Sequence, residues 1–318
     1  MKAVFLDSKT FSANISFSAI AKQCNEFTCY DHSEQYEIIQ RCLNADIIIT
    51  NKVVLSGDIL GQLPKLKLIC IAATGMNNVD LNAAKKLNIT VNNVSNYAGS
   101  AIAQYVFSQL FNHFQKINTH NQDVEQGLWS QSQSFCYHGN AIEELAGKTL
   151  GIIGYGTLAK SVTKVANAFN MKVLIAERKD STELRSGRVS FETLLSTADI
   201  ISLHCPQTAE TINLIDANAL SLMKNTAILL NTARGALIDN LALVNALENQ
   251  KISHAFLDVL DQEPPQADHP LLCYQQQILS KNTLKNITIT PHIAWASTQA
   301  QQRLISLLAN NIKRFQIN

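Results

Sequence analysis

Short, largely apolar runs alternate with helix-like stretches along the whole chain. Residues 3–6, 45–50, 66–72 and 89–94 form such runs in the first hundred positions. Residues 150–153, 173–176, 200–204, 227–231, 255–259 and 287–290 repeat the pattern later. Apolar runs that are continuous rather than alternating belong to strands covered on both faces. Strand, helix and strand in succession then predict a parallel, doubly wound α/β fold. A helix is predicted over 100–115. One stretch breaks the rhythm: residues 111–139 are rich in Gln, Asn, His and Ser and carry Gly127-Leu128-Trp129. It is expected to be an arm between two sheets, with a plain surface insertion as the alternative.

The chain has 318 residues, which suggests two domains of roughly 150 residues each. Lys plus Arg number 26 against 25 Asp plus Glu, leaving a net charge of +1. That balance offers no basic field for a nucleic-acid backbone. No apolar run approaches the ~18 residues that suggest a membrane span. The N-terminus enters a strand-like run without the pattern of a signal peptide. Seven cysteines are scattered, with no CxxC pair, which fits reduced thiols in a cytoplasmic protein. Eight histidines are equally dispersed. His204 and Cys205 are adjacent in one strand and cannot both face one site, so no metal centre is expected.

The run 150–153 leads into Gly154-Tyr155-Gly156-Thr157-Leu158-Ala159, a G-x-G-x-x-A turn. The first glycine permits the turn and the second lets a pyrophosphate approach the backbone. The small third residue lets the following helix pack close to its strand. Free N–H groups at that helix start would face the anion. Glu177 closes the next strand-like run about 20 residues further on, where a ribose-binding carboxylate belongs. It would accept the ribose hydroxyls and repel a 2′-phosphate, favouring NAD. Arg178 and Lys179 follow at once and keep NADP open. Because about 150 residues precede the glycines, a substrate-side domain is expected to come first.

Three later runs end in polar, reactive groups. Asn231-Thr232-Ala233-Arg234-Gly235 delivers Arg234, the stretch from Asp258 to Pro264 delivers Glu263, and Thr290-Pro291-His292 delivers His292. In open α/β sheets ligands bind at the carboxyl ends of strands. An arginine fork suits a carboxylate with an adjacent carbonyl. A histidine can give a proton to that carbonyl as hydride arrives and take it back in reverse. Glu263 can hold the other ring nitrogen, fix the tautomer and favour the charged ring. Each residue alone reads as structural; their joint placement points to an acid–base set working on a 2-keto acid.

These motifs resemble the D-isomer-specific 2-hydroxyacid dehydrogenase family. The likeness rests on the turn 154–159, Asn231 to Gly235, Asp258 with Glu263-Pro264, Pro291-His292 and the loop Ala72-Ala73-Thr74-Gly75-Met76-Asn77-Asn78-Val79-Asp80. It covers about residues 66–298. Within the family, Thr74 to Asn78 and Thr290 to Ala296 look most like glycerate dehydrogenases, also called hydroxypyruvate reductases. The resemblance implies a Rossmann nucleotide domain, 99–293, inserted into a flavodoxin-like substrate domain, 1–98 with 294–318. It implies that Thr74, Gly75, Met76 and Asn77, with Arg234 and His292, hold the substrate. Gly154, Tyr155, Gly156, Thr157 and Leu158 would meet the pyrophosphate, and Glu177 and Arg178 the adenosine ribose. Cys205, Pro206 and Thr211 would flank the adenine side. Thr232, Ala233, Arg234, Asp258, His292 and Ala294 would surround the nicotinamide half. The family's homodimer would use the arm 111–139.

The implied reaction is reduction of hydroxypyruvate to D-glycerate. Glyoxylate or another small 2-keto acid is the alternative within the same chemistry. A dinucleotide-sensing binding protein like the C-terminal-binding corepressors is the alternative from another class. Ala159 in place of the commoner Gly, and Glu177 in place of the commoner Asp, are the two departures from the family pattern.

Overall fold

The computed structural model describes residues 1–280 and 285–317. Asn318, the end of the C-terminal segment expected in the substrate domain, lies outside them. The chain divides into two compact units, Met1–Ala98 with Trp295–Asn318, and Gly99–Ala294.

The first unit is built on five parallel strands: β1 (Lys2–Phe5), β2 (Glu26–Cys29), β3 (Ile47–Thr50), β4 (Leu68–Ile71) and β5 (Thr90–Asn92). Their order is β2-β1-β3-β4-β5, the flavodoxin-like arrangement. Strands β3 and β4 are buried at every position, which is why their sequences, Ile-Ile-Ile-Thr and Leu-Ile-Cys-Ile, carry no charge. β2 lies at the sheet edge and is only partly buried. Its sequence, Glu-Phe-Thr-Cys, therefore lacks the apolar run that marks the others.

The last helix, Thr298–Ile317, belongs to this unit. It buries Leu304, Ile305, Leu308 and Ile312 at helical spacing. Gln301 is only 1% exposed; its amide accepts from Ser12 N and donates to Ser12 Oγ and Ala296 O. Arg303 donates two hydrogen bonds to Tyr97 O, and Asn311 donates to Asn93 O.

The second unit holds β6 (Thr149–Ile153), β7 (Lys172–Ile175), β8 (Ile200–Leu203), β9 (Ile228–Asn231), β10 (His254–Leu257) and β11 (Ile287–Ile289), all parallel. Their order is β11-β10-β9-β8-β6-β7. Beyond β7, Ala176 pairs with Val189 in a single parallel bridge. Val189 N donates to Ile175 O, and Glu177 N donates to Val189 O. Val189 is thus a third strand reduced to one residue, and with it the order becomes that of a Rossmann sheet. The core packs side chains of β6, β8, β9 and β10 against helices, among them Leu194, Leu203, Leu229, Leu243 and Leu257.

The predicted helix over 100–115 is Gly99–Gln115 and buries Ile102, Val106, Phe107 and Leu110. It packs on the helix Thr157–Ala168. A second helix, Ile117–Glu125, follows and buries none of its residues. Ile117, Trp129 and Phe135 stand exposed in this arm.

Gly151 sits inside β6 where a Cβ would come within 2.7 Å of Leu194 Cδ2 and 2.9 Å of Ala198 Cβ. Both neighbours are fully buried, so an added methyl has to displace core atoms. Gly151→Ala is expected to destabilise the protein by roughly 1–3 kcal/mol, read as a lower urea midpoint. An unchanged midpoint would show that this face of β6 is loosely packed.

Candidate active site

The turn after β6 has the geometry its glycines require. Gly154 takes φ +86, and a Cβ there would strike Cys205 N at 2.5 Å and Cys205 Cα at 2.6 Å. Only glycine lets the ends of β6 and β8 approach this closely. A Cβ on Gly156 would meet nothing within 4 Å, so the space above this residue is open. Gly156 is also the N-cap of the helix Thr157–Ala168 and makes no side-chain cap bond. Ala159 is fully buried, as close packing of that helix demands. An uncapped helix start beneath an open glycine is a fitting cradle for a pyrophosphate. Tyr155 and Leu158 are half-buried beside it and Thr157 is exposed.

Glu177 ends the next strand with its side chain only 3% exposed. Its Oε1 accepts from Arg178 N at 2.9 Å and from Arg185 Nη2. Its Oε2 accepts from Arg185 Nε at 2.7 Å and from Arg185 N at 3.3 Å. Arg188 Nε stands 3.9 Å from the same oxygen. The Arg185 guanidinium, helped by the two amides, holds the Glu177 carboxyl at about 2, well below its ordinary range. Arg178 itself is exposed. Arg185 and Arg188 escaped the sequence analysis because they lie in a stretch without periodicity, 8 residues or more beyond the strand end.

After β8 the chain turns through Cys205 and Pro206. Thr211 closes this loop, its hydroxyl donating to Pro206 O at 2.8 Å and accepting from Thr208 N at 2.7 Å. Burial pushes the Cys205 thiol up to about 11, so it is a neutral wall rather than a nucleophile. His204 lies deeper, bonded to Ser202 Oγ at 2.9 Å and pushed down to about 4 by burial.

The loops after β9, β10 and β11 bring the expected acid–base set together. Asn231, fully buried, ties its own loop: its side chain donates to Arg234 O and accepts from Ala233 N. Arg234 Nη1 donates to Ala233 O at 2.6 Å. Thr232 Oγ1 is buried without a hydrogen-bond partner among the described residues, a polar atom that a nicotinamide ribose or carboxamide would satisfy. Gly235 lies against the next loop: a Cβ there would fall 1.9 Å from Leu260 C and 2.1 Å from Asp261 N. Glu263 belongs to that loop and accepts from Leu260 N at 2.9 Å through Oε1. Its Oε2 accepts from His292 Nδ1 at 2.6 Å.

Asp258 organises the turn that carries His292. Its Oδ1 accepts from Thr290 Oγ1 at 2.6 Å and Ile293 N at 2.9 Å, and its Oδ2 accepts from Ala294 N at 2.8 Å. Its carbonyl accepts from His292 N at 2.8 Å. With the Thr290 hydroxyl committed to Asp258, Tyr105 Oη is the donor in its 2.6 Å contact with Thr290 Oγ1. Burial raises the Asp258 carboxyl, and the three hydrogen bonds oppose that rise. His292 itself takes φ +54, a left-handed backbone that a non-glycine residue adopts at some cost. Tyr105 was not singled out from the sequence; it lies in a helix more than 180 residues before its partner.

In the first unit, Thr74, Gly75, Met76 and Asn77 form the loop after β4. Thr74 Oγ1 donates to Val94 O, and Asn93 donates to Thr74 O. Among the described residues, no protein acceptor takes the backbone N–H of Thr74, Gly75 or Met76.

Residues 107–294 match the family model for the D-isomer specific 2-hydroxyacid dehydrogenase, NAD binding domain. A putative 2-hydroxyacid dehydrogenase of Haemophilus influenzae is 44% identical over 99% of this chain and 98% of its own length. The glycerate dehydrogenase of Methylorubrum extorquens is 41% identical over 99% of this chain and 96% of its own. Among solved structures, an acyclic imino acid reductase in complex with NADPH and D-Arg superposes with a TM-score of 0.83 at 30% identity, covering 100% of this chain and 97% of that one.

Two outcomes follow from this geometry. Gly235→Ala should push the Leu260–Asp261 backbone away and shift Glu263 with it, lowering kcat by at least about tenfold, since misplacement of about 1 Å is already costly. A variant with full kcat would show that the two loops move independently. The depressed Glu177 carboxyl contributes stability that is complete above its ordinary 4.5 and is lost as pH falls towards about 2. Acid unfolding of Arg185→Ala should therefore show a weaker pH dependence in that window than the unmodified protein.

Proposed function

The chain belongs to the D-isomer-specific 2-hydroxyacid dehydrogenases, and from that premise we propose that it reduces hydroxypyruvate to D-glycerate, reversibly. The observation that carries the proposal is the 2.6 Å contact of His292 Nδ1 with Glu263 Oε2, on a turn held by Asp258 and at the same strand ends as Arg234.

A dinucleotide bound here would supply or accept the hydride. Gly154, Tyr155, Gly156, Thr157 and Leu158 would hold its pyrophosphate, Glu177 and Arg178 would meet its adenosine ribose, and Cys205, Pro206 and Thr211 would border the adenine. Thr232, Ala233, Asp258 and Ala294 shape the nicotinamide end. The buried Thr232 hydroxyl and the open space over Gly156 support this assignment. Arg234 directs its fork at the substrate carboxylate and the adjacent carbonyl, whose oxygen becomes negative as hydride adds. The amides of Thr74, Gly75 and Met76, with Asn77, bind the substrate carboxylate. His292 donates from Nε2 to the carbonyl oxygen in reduction and withdraws the proton in oxidation. Glu263 accepts from Nδ1–H, so the ring keeps the tautomer that directs Nε2 at substrate.

Among the described residues no helix is long and apolar enough to cross a membrane. The same proposal makes the protein a cytoplasmic homodimer. The exposed apolar side chains Ile117, Trp129 and Phe135 in the arm support that assembly.

The test is oxidation of NADH with hydroxypyruvate, glyoxylate, pyruvate and longer 2-keto acids. Hydroxypyruvate is expected to give the highest kcat/KM; turnover of none of them would refute the proposal. His292→Ala should lose kcat by roughly 10²–10⁴-fold while NADH affinity changes little. Arg234→Ala should raise KM for the keto acid and lower kcat, because a carboxylate contact serves ground and transition states alike. Glu263→Gln keeps an acceptor for Nδ1 but offers a second, donating group in its place, so the ring is held less firmly and kcat should fall. An unchanged kcat in Glu263→Gln would contradict the role given to Glu263.

A further inference from the structure

A carboxylate offers about four lone-pair positions, and in Glu177 all four are taken. Two go to amides fixed by the chain, Arg178 N and Arg185 N. The other two go to the Arg185 side chain, through Nε at 2.7 Å and through Nη2. A ribose 2′,3′-diol needs two acceptor positions on this carboxylate. It can obtain them only by displacing the Arg185 fork, since the amides cannot leave without moving the backbone. The fork is the part that can move. Its side chain is 58% exposed while that of Glu177 is 3% exposed, and residues 180–188 form neither helix nor strand.

The charge around this carboxylate has a second consequence. Arg178 adjoins Glu177, Arg185 binds it, and Arg188 lies at 3.9 Å. Lys179, by contrast, is engaged with Asp216 at 3.1 Å. One carboxylate facing the guanidinium groups of Arg185 and Arg188 leaves the local balance positive. The expectation that Glu177 repels a 2′-phosphate treats it as a bare anion, and in the fold its charge is covered.

Accepting that the second unit binds a dinucleotide with the adenosine ribose at Glu177, we propose that Arg185 decides which dinucleotide is taken. Paired with Glu177, Arg185 presents a guanidinium that receives a 2′-phosphate. Displaced from Glu177, it frees the carboxylate for a 2′,3′-diol. The unmodified chain therefore accepts both NADP(H) and NAD(H), and Arg185 is a specificity-determining residue that competes with the ribose of one and attracts the phosphate of the other. Phosphate recognition by a planar fork is what a guanidinium does better than an ammonium.

The test is calorimetric titration of the intact protein with adenosine 2′,5′-bisphosphate and with adenosine 5′-monophosphate, which needs no turnover. The unmodified protein is expected to bind both. Arg185→Ala is expected to weaken the bisphosphate by about tenfold or more, the scale of a lost charge-assisted contact, and to leave the monophosphate unchanged or tighter. Arg185→Lys, which keeps the charge without the fork, should fall between for the bisphosphate. A thermal melt shows that each variant is folded. If Arg185 only braces its loop, Arg185→Ala changes both affinities alike or neither, and the proposal is overturned while dinucleotide binding stands. If the unmodified protein binds neither nucleotide, the dinucleotide assignment fails and takes the proposal with it.

Discussion

The buried carboxylate of Asp258 is the interaction on which the site depends. It lies beyond the end of β10 and takes three hydrogen bonds from Thr290, Ile293 and Ala294, beyond the end of β11. Its carbonyl takes a fourth from His292 N. Leaving a carboxylate in such a place is costly without partners, and here the partners are the backbone and hydroxyl of the turn that carries the imidazole. The same bonds compensate for the left-handed backbone of His292. That conformation directs the ring to Glu263, and Glu263 is held in turn by Leu260 N.

The apolar strands contribute rigidity rather than chemistry. β8, β9 and β10 are buried at every position, so their carboxyl ends have little freedom. Loops leaving those ends are then tied by their own polar groups: Asn231 folds the Arg234 loop, and Gly235 lets it press on Leu260 and Asp261. Arg234, Glu263 and His292 are therefore held by backbone contacts between neighbouring loops. Side chains held this way keep a geometry more closely than side chains on a free loop, which the proposed catalytic set requires.

Much of this was legible in the sequence because fully buried parallel strands leave unbroken apolar runs. Ten of the strands announced themselves by largely apolar runs, β5, β7 and β11 although they are only partly buried; β2, Glu-Phe-Thr-Cys, has no such run and did not. Val189 was invisible because a strand of one bridge has no pattern. The proposed catalytic residues could be singled out because each follows such a run. The partners of Asp258 could not: hydrogen bonds to one side chain from a hydroxyl and two amides 32 to 36 residues away leave no periodic trace. The cover that Arg185 places over Glu177 was hidden for the same reason.

Asp258 acts through His292, and a double-mutant cycle on kcat tests this most directly. Hydroxypyruvate reduction would be measured at saturating dinucleotide for the unmodified protein, Asp258→Asn, His292→Ala and the double variant. Asp258→Asn preserves size but gives up one charged acceptor of the turn, so its kcat should fall. In the His292→Ala background the same change should cost almost nothing, because the group it positions is gone. Losses that multiply in the double variant would show that Asp258 serves catalysis by a route that does not pass through His292.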